Sequence, residues 1–285
     1  MKLSTRSGAV GSRALWAAGL GQVLALLVFV AVVTIIARLL PSALSGGALI
    51  AAGVILAIVP ALIWLAFFYQ QDRLEPEPKT FMLEVFALGI LMASAIGIPL
   101  VNEFFRINDW LYTDPIAHLL GSILVVGFTQ VFLVWAAVRF SVYQSSEFDE
   151  RVDGIVYATA AGLGFATMLN FNYVVSRGGV ELGIGVVRVA ITALAFGSIS
   201  GVLGYFMGQA KFEHTPAYYL PAGVTLAAVL NGLFFWAQDM VTVRGVTSTP
   251  FYGLVLAVII AIALLGLVFW LIRRANAETL SLAGR

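Results

Sequence analysis

GIGVVRVAITALAFGSISGVLGYFMGQ, residues 183–209, decides the fold class, because it runs far beyond twenty residues with Arg188 as its only charged side chain. A helix rises ~1.5 Å per residue, so about 20 apolar residues cross the ~30 Å hydrocarbon core of a bilayer. No water is available there, and a helix pairs its backbone N–H and C=O groups within the segment. The run therefore reads as one transmembrane helix.

Working outward, seven further runs of the same kind occupy residues 15–39, 47–68, 81–101, 116–140, 154–175, 218–238 and 250–272. The composition agrees: 61% of the chain is hydrophobic and 11% charged, which removes it from the soluble globular class. The expected fold is all-α, a polytopic membrane helix bundle of about eight transmembrane helices. Short polar connections make it a single integral membrane domain over 1–285, with cytoplasmic segments at 1–13 and 273–285. Lys2, Arg6 and Arg13 before the first run imitate a signal peptide, but that run is too long for one, and it reads as a retained helix.

Lys and Arg divide unequally between alternate connections, eleven on the side of the termini against four on the other (Arg38, Arg106, Arg177 and Arg244). By the positive-inside rule this expects a multi-pass protein of the inner (plasma) membrane with both termini in the cytoplasm. A net charge of +1 offers no surface for nucleic-acid phosphates. Membrane lipids are the expected partners, with a membrane protein or transmembrane peptide as a further one. Cysteine is absent, which removes disulfides, thiolate nucleophiles and Cys-ligated metals.

Small residues recur at four-residue spacing, as in Ala158/Gly162, Ala160/Gly164, Gly197/Gly201 and Gly204/Gly208. Such stripes let membrane helices approach closely, so the fifth and sixth helices are expected at the centre of the bundle.

Two stretches outside the apolar runs carry a family resemblance. YQQDRLEPEPK, residues 69–79, contains Asp72, Arg73, Glu75, Pro76, Glu77 and Pro78; FDERVDGIVYATAAGLGFA, residues 148–166, contains Asp153 and Gly154. With GVLGYFMG at 201–208, the chain resembles the PrsW family of intramembrane metalloproteases, itself similar to the prenyl-protein (CAAX-type) proteases. The resemblance implies a zinc-like metal held by a Glu-Glu-x-x-Lys motif, a Glu-Asn pair and two histidines, activating water for peptide cleavage. In the register set by Asp153 and Gly154, however, the first motif falls on Thr129 and Gln130. The Glu-Asn pair falls on Leu169 and Asn170, and the histidines near Phe196 and Asn231. No carboxylate or imidazole stands at any of these positions, so no catalytic residue and no metal or other cofactor is expected.

A slipped register does not restore the ligands. Apart from Glu84, every acid is expected in a loop, a tail or a helix end, and no two glutamates are adjacent. His118 and His214 are expected as interfacial side chains on opposite faces of the membrane, too far apart to share an ion bonded at ~2 Å. Glu84 snorkels towards Lys79, and Arg188 anchors its helix or pairs with Glu181.

The polar residues left inside the spans are Thr129, Gln130, Asn170, Asn172, Ser198, Ser200 and Asn231. Uncharged amides in hydrocarbon must be hydrogen-bonded, so they are expected to face inward, with Gln130, Asn170 and Asn231 converging on the former metal position. The functional expectation is a PrsW-like pseudoprotease, a scaffold or a binder of membrane peptides or lipids. An active metalloprotease with an atypical site and a channel or transporter are the alternatives.

Overall fold

A computed structural model describes residues 12–39, 46–71, 78–176 and 182–243, together with eleven helical positions between 255 and 274. The long helices are α1 (Ser12–Leu39), α2 (Gly47–Gln71), α3 (Lys79–Met92), α7 (Arg151–Ser176), α8 (Leu182–Phe212) and α9 (Tyr219–Val243). Between α3 and α7 lie the short α4 (Ile107–Trp110) and a continuous span made of α5 (Pro115–Gly121), a π-helical stretch and α6 (Phe128–Phe140). Among the described residues six helices are long and apolar enough to cross a membrane, and Leu24–Ile36 of α1 adds a shorter apolar one. The positions described between 255 and 274 agree with a further helix, so about eight crossings are in keeping with the structure. Of the first family stretch, residues 72–77 lie outside the described residues, and Pro78 immediately precedes α3.

The central pair is as the small-residue spacing predicts. In the apolar windows of α7 and α8 89% of residues are buried, against 28% in those of α2, α3 and α9. The cause is backbone contact. A Cβ on Gly204 would overlap the Gly154 carbonyl, and one on Gly154 would overlap the Gly204 carbonyl, so α7 and α8 touch main chain to main chain. On the other side of α7, Gly164 meets the Phe86 carbonyl and Gly89 of α3 meets that of Ala161. Only glycine permits such approaches, and dispersion between the closely packed helices then replaces a hydrophobic drive that lipid does not supply.

The second family stretch ties off one end of this pair. Asp153 Oδ2 accepts from the Glu150 N–H at 2.5 Å, tying down the start of α7. Arg151 is buried and its Nη2 lies 3.3 Å from Glu213 Oε1, joining the start of α7 to the residue after α8. Lys211 Nζ donates to the Phe148 carbonyl at 2.5 Å and lies 4.6 Å from the Phe148 ring centroid. The Tyr143 hydroxyl donates to the Met207 carbonyl at 3.3 Å. Asp153 and Gly154 thus have architectural tasks, a cap and a helix crossing.

At the opposite end the helices are irregular. The third span passes through π-helical stretches at Ala93–Gly97 and Leu100–Phe104, and the fourth through one at Ser122–Gly127. Pro99 has no N–H to continue the α ladder of α3, and Ser122 Oγ donates at 2.6 Å to the His118 carbonyl, which also accepts the Ser122 backbone N–H where the π-helical stretch begins. The third span therefore runs past the expected boundary at Val101 to Phe104. The chain reverses at Arg106, a left-handed residue (φ 49°, ψ 46°), and enters α4. Ile107 and Leu111 are buried there against Val126. Asp114 then caps α5, accepting from the N–H groups of Ile116 and Ala117 at 2.8 and 2.9 Å.

Candidate functional site

The irregular segments enclose a cavity of about 430 Å³ between the end of the third span, α4, α6, α7, α8 and α9. Its floor includes Phe165 of α7 and Phe196 of α8, stacked with centroids 5.6 Å apart and planes 11° apart. Gly97 of the third span lies against the Phe165 ring, where a Cβ would come within 2.7 Å of Cζ. From Phe165 to Ser176 at the mouth α7 rises ~16 Å, so the floor lies about halfway through a ~30 Å hydrocarbon layer.

Five of the six positions singled out by the resemblance line this one cavity: Gln130, Leu169, Asn170, Phe196 and Asn231. Thr129 is half-buried on α6 and does not line it. Asn231 Nδ2 of α9 donates to Gln130 Oε1 of α6 at 2.7 Å, a bond between side chains 101 residues apart. Asn170, buried, instead donates from Nδ2 to the Val189 carbonyl of α8 at 3.2 Å. The expected three-amide convergence is therefore a bonded pair facing a third amide that is held by main chain. Asn172 also lines the cavity, whereas Ser198 and Ser200 are buried away from it.

The polar mouth is not legible in the sequence. Asn102, Asn108, Tyr112, Tyr173, Arg188 and Gln238 line it, most of them at helix ends that read as ordinary interfacial positions. Arg188 belongs to the site rather than only to its own helix: its guanidinium lies 4.0 Å from the Tyr173 ring centroid, in cation–π range. Glu181 lies outside the described residues. Glu84 is exposed on the outer face of α3, as a snorkelling acid requires.

His118 corrects an expectation. It is 3% exposed, near the end of its span but packed inside the bundle rather than open to the surroundings, and its Nε2 lies 3.1 Å from Asp239 Oδ2. Asp239 stands near the end of α9, as expected, on its last turns before Val243. Pro115 begins α5 just early enough to turn position 118 inward against α9. The rings of Tyr112 and Trp236 lie 5.2 and 6.5 Å from the imidazole. Tyr112 has its phenol pushed up to about 12, by burial first and then by the charge of Asp239 and a hydrogen bond to it, with Arg188 opposing. The cluster straps the α4–α5 turn to α9 beside the mouth. His214 is exposed, at the other end of the bundle beyond α8, so the two histidines remain far apart.

Residues 77–268 match a protein family described as PrsW family intramembrane metalloprotease. The chain belongs to the PrsW family. It is 33% identical to Protease PrsW of Geobacillus kaustophilus over 189 residues, 66% of this chain and 78% of that one. It is 31% identical to Protease PrsW of Bacillus subtilis over 195 residues, 68% and 82% of the two chains. No solved structure matches it.

The PrsW family is one of metalloproteases, and the donors around the cavity decide whether a zinc-like ion fits this member. Zinc is held by thiolate, imidazole or carboxylate. The inner end presents neutral amides, aromatic rings and Leu169 instead, and the chain has no cysteine. Among the described residues no three His, Asp or Glu side chains lie close enough together to hold an ion. His118 and Asp239 provide two donors that already face each other at 3.1 Å. These residues do not fit the ion.

Proposed function

We propose that this PrsW-family membrane protein is a pseudoprotease, which holds a membrane peptide or lipid in its cavity without cutting it. The observation that carries the reading is the Gln130–Asn231 hydrogen bond. Two positions that the resemblance assigns to a carboxylate and an imidazole carry amides bonded to each other. A neutral amide cannot act as a general base near neutral pH, and it is a weak partner for a divalent cation. The same groups suit binding, because they supply directional hydrogen bonds inside an apolar enclosure.

The protein is placed in the bacterial plasma membrane with both termini in the cytoplasm, supported by the excess of Lys and Arg on that side. The cavity mouth then faces outward. A reporter enzyme that works only outside the cytoplasm, fused to the C-terminus, is expected to stay inactive; an active fusion reverses the orientation.

A photo-crosslinking residue in place of Leu169, which lines the inner cavity, tests the holding function. Crosslinking in membranes is expected to trap partners of intact length, fewer of them when a bulky residue replaces Gly97. Trapped fragments with new termini at a membrane-embedded position would instead identify cleavage. The protease reading has one observation in its favour, the buried His118–Asp239 pair beside the mouth.

A further inference from the structure

A primary amide carries two N–H donors and a carbonyl with two acceptor positions. The bond from Asn231 Nδ2 to Gln130 Oε1 leaves the Gln130 amide nitrogen and the Asn231 carbonyl oxygen without partners among the described residues, and both side chains line the cavity. Reversing both amides leaves the same inventory, one donor group and one acceptor side by side. The edge is thus neutral and two-sided, and it lies among Phe165, Leu169, Phe196 and Phe234.

Each ligand chemistry meets this edge differently. A charged group would lose its hydration for neutral partners. An alkyl chain would leave both amide groups unpaired, and an ester or ketone would satisfy only the donor. A secondary amide, with one N–H and one C=O, satisfies both. The peptide groups of an intact helix are already paired with one another and have none to offer.

We infer that the Gln130–Asn231 pair is a recognition site for a secondary amide, the group that any ligand held in the cavity presents to its inner end. The inference rests on the holding function proposed above and narrows its ligand. Two membrane sources carry that group: an N-acyl lipid of the ceramide type, and a polypeptide segment whose helix is broken inside the membrane. Gln130 and Asn231 set specificity here, and the aromatic walls supply the less selective part of the affinity.

The absence of cysteine makes the test clean. Asn108 lines the mouth, so Asn108→Cys in the full-length protein gives a single thiol whose labelling by a maleimide reports occupancy. In the lipid arm ceramide is compared with diacylglycerol, which also bears a hydroxyl but has esters in place of the amide. In the peptide arm a transmembrane peptide with a Gly-Pro break is compared with an uninterrupted leucine helix.

The amide-presenting member of at least one arm is expected to protect the thiol at a concentration about tenfold or more below its counterpart. Adding Gln130→Leu and Asn231→Leu is expected to abolish that gap by weakening the amide ligand. The arm that shows the gap identifies the source. No gap in either arm overturns the inference, and so does a gap that survives the double replacement. The comparison in Asn108→Cys alone decides the matter if the double variant does not fold. Equal protection by all four probes removes the amide specificity and leaves the holding function standing; protection by none removes both.

Discussion

Gly204→Leu is expected to remove most of the folded protein, with a loss of stability of at least about 3 kcal/mol, the upper part of the range for overpacked cores. Overpacking is usually softened by a neighbouring side chain changing rotamer. No such relief exists here, because the first atom that a Cβ at 204 meets is the main-chain carbonyl of Gly154. The helices would have to separate along the most heavily buried interface of the bundle. Domain stabilities are typically ~5–15 kcal/mol, so this loss is a large share of the whole. Gly21→Leu in α1, where nothing lies within 4 Å of the added carbon, is the control, expected to change stability by only about 0.5 kcal/mol. Yield of monodisperse protein and thermal unfolding in detergent measure both. A Gly204→Leu protein as stable as wild type would mean that α7 and α8 do not cross at this point.

His118→Leu and Asp239→Leu should each cost about 1–3 kcal/mol, because either change leaves a buried polar group short of a partner, although Asp239 keeps its hydrogen bond with Tyr112. The imidazole is 4% exposed and the carboxylate 17%, so little water reaches a stranded group. The double replacement removes both polar groups together, and apolar substitutes for such a pair are often nearly neutral. The expected outcome is strong non-additivity, with the double variant more stable than either single one. A double variant whose loss equals the sum of the single losses would show that the two residues do not act on each other. The same comparison, made with the Asn108→Cys thiol, reports whether the strap keeps the α4–α5 turn against α9: single variants are expected to label faster at the mouth.

The legible part of the fold was set by simple physics. Lipid requires long apolar helices, and their ends fall within a few residues of the hydropathy runs; α5 to α6 begins at Pro115 where residue 116 was expected. Glycines four apart at 204 and 208 pointed to the centre of the bundle because close approach needs the absence of a Cβ, a property visible residue by residue. The site was legible only through a register borrowed from Asp153 and Gly154, which placed Gln130, Leu169, Asn170, Phe196 and Asn231 around one cavity. Hydropathy alone could not have joined α6 to α9.

What escaped were the features made by side chains meeting across long sequence separations. His118 and Asp239 each sit near the end of an apolar run, and single positions there read as interfacial. Their pairing depends on α9 continuing past Gln238 and on the turn that Pro115 imposes. The π-helical stretches have a local cause in Pro99 and Ser122, yet hydrophobic periodicity does not report a change from α to π winding. Asn170 was expected among the other amides, but a carbonyl of the neighbouring helix lay closer at hand, and the inner edge is left to Gln130 and Asn231.

In the proposed pseudoprotease a PrsW-family architecture encloses amides where a hydrolytic metal would need charged or imidazole ligands. Metal analysis of the purified full-length protein, paired with a cleavage assay on a single-span membrane peptide, addresses it most directly. The proposed pseudoprotease is expected to carry substoichiometric zinc that dialysis removes and to leave the peptide at full length. Stoichiometric zinc, with cleavage that stops on chelation and returns when the metal is restored, would contradict it.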